Sequence, residues 1–146
     1  MNLKLYFEDY SNYHRSLGNQ ITHGIGIPLI IVGLFGLLSQ WVIFPGFSVY
    51  LQLDGGSLLW FLGGLWYLRL DFRLGASFWV LLAGFYFVGR AFPFSLNLSL
   101  FLLGWVFQGV GHAVFEKNSP AFFKTLVHLL IGPLWIFCKV IDFKSR

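Results

Sequence analysis

The sequence predicts an all-α integral membrane protein of about four transmembrane helices and a fifth, C-terminal apolar helix that is re-entrant or interfacial. Three observations predict it. Of 146 residues 57% are hydrophobic and 11% charged, with a mean hydropathy of +0.71, where soluble domains carry roughly 25% charged residues. The apolar residues fall in blocks close to the length of about 20 residues that a helix needs to cross a hydrocarbon core. The basic residues gather at the ends of those blocks, as they do in the short loops that set membrane orientation. No Ser/Pro-rich linker or run of like charge divides the chain, so it reads as a single membrane domain over residues 1–146.

The polar segment Met1–Asn19, with Glu8, Asp9, His14 and Arg15, lacks the basic and apolar regions of a cleaved signal, so the first span is expected to remain. That span, Ile25–Phe44, is the clearest, and the reading starts its helix near His23, with Thr22 as cap and Pro28 in the first turn. The second, about Leu53–Leu70, carries Gly55, Gly56, Gly63 and Gly64, which permit close helix approach. Arg69, Asp71 and Arg73 mark a turn before the third, Leu74–Phe92, which Arg90 closes by snorkelling before Pro93. The fourth, Leu96 to about Phe115, is apolar until Gln108 and His112. The fifth, Ala121–Ile141, is interrupted by Lys124, His128, Gly132, Pro133 and Lys139.

Four crossings put Lys4, Arg15, Arg69, Arg73, Lys117 and Lys124 on one side and Arg90 on the other, so the richer side is expected to be cytoplasmic. A crossing fifth segment would send Lys139, Lys144 and Arg146 to the poorer side, which favours one that does not fully cross. The net charge of +4 includes no basic array that could follow a phosphate backbone, which argues against a nucleic-acid partner. A single cysteine, Cys138, excludes an intramolecular disulfide and leaves nitrogen and oxygen as the donors for any metal. No internal repeat of the inverted transporter type is visible.

Two polar constellations remain. The first is Tyr13-His14-Arg15, Asn19 and His23-Gly24-Ile25-Gly26-Ile27-Pro28. On one straight helix His14 and His23 would be about 900° apart, on opposite faces. They can share a site only if the chain bends, and Gly18-Asn19 is the expected place. The second is Gln108, Gly111-His112, Phe115-Glu116, Asn118 and Pro120, in which positions 108, 112 and 116 line one helix face with a drift of about 40° per step. Each residue alone has a plain explanation as an interfacial, capping or topology-marking group. Together, polar residues at membrane depth face a cavity or one another, and the four-crossing parity brings His14, His23 and His112 to one face. Such donors suit Zn, Fe(II) or Mn(II), and spacing does not choose among them.

These two motifs, in this order and with these spans from Tyr13 to about Pro133, resemble the family of the yeast endoplasmic-reticulum 2-hydroxy fatty acid dioxygenase. The resemblance implies an Fe(II)-dependent dioxygenase of fatty-acid α-oxidation, with O2 and a 2-hydroxy fatty acid as substrates and the acid one carbon shorter as product. It implies His14, His23 and His112 as iron ligands, with Glu116 as a further candidate. Glu116, Asn19 and Gln108 are then expected to serve the reaction, and Arg15 and Lys117 to hold the carboxylate at the interface. Gly109 stands where the family commonly has an aromatic residue, and His128 at a Gln-like position. The expected location is the bacterial inner membrane or the endoplasmic reticulum, with membrane lipid around the chain and the metal near the cytoplasmic face. Two other classes compete with the enzyme: a membrane protein that transports or binds metal ions or protons, and a scaffold whose histidines only join helices.

Overall fold

The computed structural model describes residues 3–46, 52–117 and 127–141. Asn118, Pro120, Lys124, Lys144 and Arg146, together with the start of the expected fifth span, lie outside the described residues. The elements are α1 (Leu3–Asn12), α2 (Leu17–Leu38), β1 (Val42–Phe44), β2 (Leu53–Asp54), α3 (Gly55–Leu70), α4 (Phe72–Ala91), α5 (Phe94–Val110), a π-helix (Gly111–Glu116) and α6 (Val127–Val140). The all-α class holds, with one short antiparallel strand pair, Val42 opposite Asp54. Three helical stretches among the described residues are long and apolar enough to cross a membrane: Leu17–Leu38, Phe72–Ala91 and Phe94–Glu116. Helix α3 has 16 residues and α6 has 14.

The first span begins and ends earlier than expected. Helix α2 starts at Leu17, and Ser16 caps it by accepting from the Asn19 N–H at 3.1 Å. Thr22 is no cap; it lies inside the helix and returns its hydroxyl to the Asn19 carbonyl at 2.9 Å. Pro28 likewise sits in the helix interior, where membrane helices tolerate the missing N–H. The helix stops at Leu38, with Ser39 Oγ on the Gly36 carbonyl at 2.8 Å, and β-branched Val42 and Ile43 continue as strand.

The chain packs as two compact units, Leu29–Leu102 and Met1–Pro28 with Leu103–Arg146. In the first, Asp71 ends α3 and caps α4, accepting from Leu74 N–H at 2.8 Å. Its core is Tyr67, Leu70, Leu74, Phe78, Leu82 and Tyr86. Of the four expected contact glycines, Gly56 lies against the Phe35 carbonyl and Gly64 against the Trp79 indole, whereas Gly63 meets nothing. Asp54, fully buried, caps α3 through Ser57 and accepts from Tyr86 and from Arg90 at 2.8 Å. Arg90 therefore closes the third span by pairing inward with Asp54, where snorkelling was expected.

In the other unit α6 lies on α1 and the start of α2. Trp135 donates to Ser11 Oγ at 3.0 Å, Lys139 to Gln20 Oε1 at 2.7 Å, and Gly132 faces the Tyr10 hydroxyl and Ile27. These contacts run nearly the length of α6, from His128 against Asp9 to Lys139.

Candidate metal centre

Helix α1 ends with Tyr13 and His14 N–H groups on the Tyr10 and Ser11 carbonyls, and the chain turns through His14, Arg15 and Ser16 into α2. The bend needed between the histidines is therefore at 13–16, ahead of Gly18-Asn19. Gly18 has a packing role instead, because a Cβ there would run into the Phe115 ring. His14 is carried on the bend and His23 projects from the second turn of α2, and both are buried.

The ring nitrogens settle the chemistry. His14 Nδ1 lies 2.8 Å from the Tyr10 carbonyl and His23 Nδ1 2.9 Å from the Asn19 carbonyl. A carbonyl only accepts, so each Nδ1 carries the proton and each Nε2 presents a lone pair. Those two Nε2 atoms are 3.2 Å apart. Between two neutral rings no hydrogen holds them together, and a bound cation would resolve the facing lone pairs. The Nδ1–H to carbonyl bonds are also the outer support that metal-ligating histidines commonly have.

His112 completes the group from the π-helix, its ring centroid 4.9 Å from that of His14 and 4.8 Å from that of His23. Its Nδ1 is buried without a hydrogen-bond partner. One donor atom from each of the three histidines lies within 4.8 Å of the others. An orphaned nitrogen, two opposed lone pairs and a sulfur-free donor set together fit a first-row divalent metal. Burial, the largest influence, pushes the His14 imidazole down to about 4, so it is neutral and able to ligate near pH 7.

Tyr10, which the sequence reading did not single out, stacks on His14 at 3.9 Å with rings 10° from parallel. Its place one helical turn before His14 was the available signal. Trp135 also packs on His14, and Gln20 donates to the His14 carbonyl at 2.8 Å; nothing in the local sequence announces either contact. Gly111 lies flush against Asn19, Thr22 and the His23 ring, close enough that a Cβ would collide.

The other predicted residues are distributed around this group. The regular face expected through 108, 112 and 116 does not persist, because α5 widens into a π-helix at Gly111. Only His112 reaches the histidines. Glu116 instead accepts from the Ser16 N–H at 2.6 Å, with the Arg15 N–H and the Asn19 side chain also directed to its carboxylate. Gln108 is buried against Gly26, its Nε2 unpartnered, and Asn19 Oδ1 is likewise unpartnered. Arg15 is exposed and reaches Asn12 at 3.1 Å. Lys117, also exposed, closes the π-helix in the left-handed region at φ 54°, its N–H on the His112 carbonyl. His128 stands apart from the three histidines and pairs with Asp9 at 2.8 Å.

The chain is similar to known proteins along almost all its length. The family described as 2-hydroxy-palmitic acid dioxygenase Mpo1-like matches residues 1–144. The 2-hydroxy-palmitic acid dioxygenase MPO1 of Saccharomyces cerevisiae is 30% identical over 132 residues, covering 87% of this chain and 72% of the yeast protein. No solved structure matches. With the family match extending over the three histidines and every described helix, the chain belongs to the 2-hydroxy-palmitic acid dioxygenase Mpo1-like family.

Proposed function

We propose that this protein is an Fe(II)-dependent dioxygenase of the membrane that takes a 2-hydroxy fatty acid and O2 and yields the fatty acid shortened by one carbon, with C1 released as CO2 and one water formed, O2 being the oxidant. The observation that carries the reading is the pair of δ-protonated histidines with Nε2 atoms facing at 3.2 Å, completed by His112, in a chain of this family. His14, His23 and His112 hold the iron. When bound, iron supplies the redox chemistry with O2 that cleavage of the C1–C2 bond requires.

The remaining residues bind and orient. Arg15 and Lys117 are exposed cations brought near each other by the Glu116 to Ser16 contact, and they attract the substrate carboxylate. Gln108 Nε2 is a buried donor without a partner and Asn19 Oδ1 a buried acceptor without one. They can hydrogen-bond the carboxylate and the 2-hydroxyl. Burial of all three histidines below 4% exposure keeps bulk water from them. Leu17, Ile21, Ile25, Val114 and Phe115 are exposed apolar residues on the helices that carry the site. They suit an acyl tail arriving from the bilayer, with burial contributing about 0.8 kcal/mol per CH2.

The topology that goes with this reading has α2, α3, α4 and the α5 stretch crossing, with α6 against α1 on the cytoplasmic side. The charge count supports a fifth segment that does not fully cross, since a crossing would send Lys139, Lys144 and Arg146 to the side that holds Arg90. The host membrane is the bacterial inner membrane or the endoplasmic reticulum.

The test is metal analysis of detergent-purified protein followed by O2 consumption. About one iron per chain is expected, lost in His23→Ala and His112→Ala with helicity retained. O2 uptake should follow addition of 2-hydroxypalmitate, with the acid one carbon shorter as product, and not addition of palmitate. Iron-loaded protein that treats the two acids alike would remove the proposal.

A further inference from the structure

We infer that Glu116 is a positioning residue that clamps the three histidines into one centre, and that it does not ligate the metal; this rests on the metal reading of the site proposed above. The π-helix ends where α2 begins. Phe115 lies on Gly18, and the Glu116 carboxylate accepts the Ser16 N–H at 2.6 Å. The Arg15 N–H and the Asn19 side chain face the same carboxylate. It therefore gathers the start of a helix whose first N–H groups lack intrahelical acceptors, at the end where negative charge is favoured.

Each group it holds leads directly to a histidine. Arg15 follows His14 in the chain, so fixing the Arg15 and Ser16 amides fixes the bend that presents His14. Asn19 supplies the carbonyl that accepts His23 Nδ1–H at 2.9 Å and so sets that ring's tautomer and direction. His112 lies in the same π-helix as Glu116, and its carbonyl accepts the Lys117 N–H at the turn's end. One carboxylate thus connects the backbone supports of His14, His23 and His112. Among the described residues the convergent donor group contains the three histidines and not Glu116.

A ligand and a clamp differ in what glutamine can replace. An amide oxygen still accepts from the backbone amides, but it is a poor replacement for a carboxylate on a metal. The experiment loads detergent-solubilised full-length protein with Co2+ and measures affinity by chelator competition and the visible Co2+ absorption. Hydrogen exchange of the amides of residues 15–19 is followed in the same samples. For Glu116→Gln the expected affinity is within about threefold of wild type, with an unchanged spectrum. For Glu116→Ala it falls by about 10–100-fold, the range for loss of an outer-shell support, and the residue 15–19 amides exchange faster. A Glu116→Gln variant that loses Co2+ as Glu116→Ala does, with those amides still protected, would identify a ligand and overturn the inference. A Glu116→Ala variant equal to wild type would overturn it as well. Failure of folded wild-type protein to take up Co2+ would instead count against the metal centre itself, and the clamp would fall with it.

Discussion

At the scale of single residues, two positions show how closely the site depends on small steric and protonic facts. Gly111 is present because a methyl group there would collide with Asn19 and Thr22 and stand 3.1 Å from His23 Nδ1. Gly109, two residues earlier, faces open space. Gly111→Ala should therefore cost about 1–3 kcal/mol by overpacking and weaken metal binding, while Gly109→Ala should leave both unchanged. Thermal unfolding in detergent and chelator competition measure the two effects, and equal behaviour of the variants would contradict the packing argument. His14 sets a pH dependence. Its pKa is lowered by burial from 6.5 to about 4, so below about pH 6.5 the unfolded chain takes up a proton that the folded chain refuses until about pH 4. Metal-free protein should lose stability as pH falls through that window and show no His14 contribution above it. The slope of thermal midpoint against pH between 6.5 and 4 should be shallower in His14→Gln.

At the scale of elements, polar side chains set where helices begin and end. Ser16 starts α2, Asp71 ends α3 and starts α4, and Asp54 starts α3 through a capping box with Ser57. Asp54 has a second duty, since its buried carboxylate also takes the Tyr86 hydroxyl and the Arg90 guanidinium. Removing one member of a buried pair strands the other charge, which costs about 3–5 kcal/mol. Arg90→Ala should thus destabilise far more than Arg73→Ala, whose side chain is exposed. The double variant Asp54→Asn with Arg90→Gln should recover part of the loss. Chemical denaturation of the four proteins reads this directly, and an Arg90→Ala effect no larger than that of Arg73→Ala would show the pair to be dispensable.

At the scale of the whole molecule, the question is which segments cross the bilayer. Lys139 near the end of α6 bonds Gln20 near the start of α2, and His128 near the beginning of α6 meets Asp9 of α1. Both ends of α6 thus meet the N-terminal segment, and its middle reaches Ile27 of α2. Single cysteines placed by Arg15→Cys, Lys117→Cys and Lys139→Cys in a Cys138→Ser background should all react with an impermeant maleimide from the cytoplasmic side, and Phe94→Cys from the other. Lys139→Cys labelling together with Phe94→Cys would mean that α6 crosses. Opposite labelling of Arg15→Cys and Lys117→Cys would remove the four-crossing topology.

The sequence by itself determined the helical class, the apolar stretches and the identity of the three histidines, because hydropathy and residue chemistry are local properties that survive without coordinates. It also showed that a bend must separate His14 from His23, since helical geometry forbids them a common face. The place of that bend was not legible: Gly18-Asn19 has turn chemistry, but Ser16 already offers a cap and Gly18 is needed against Phe115. The π-helix was equally hidden, because nothing in the local propensities of Ala, Val or Phe announces a five-residue step at Gly111–Glu116. Only the tertiary structure decided that Glu116 turns to the Ser16 amide, that Arg90 turns inward to Asp54, and that Tyr10 and Trp135 enclose His14. Each of these contacts joins residues whose meeting depends on which helix faces which, and that is a property of the packed chain.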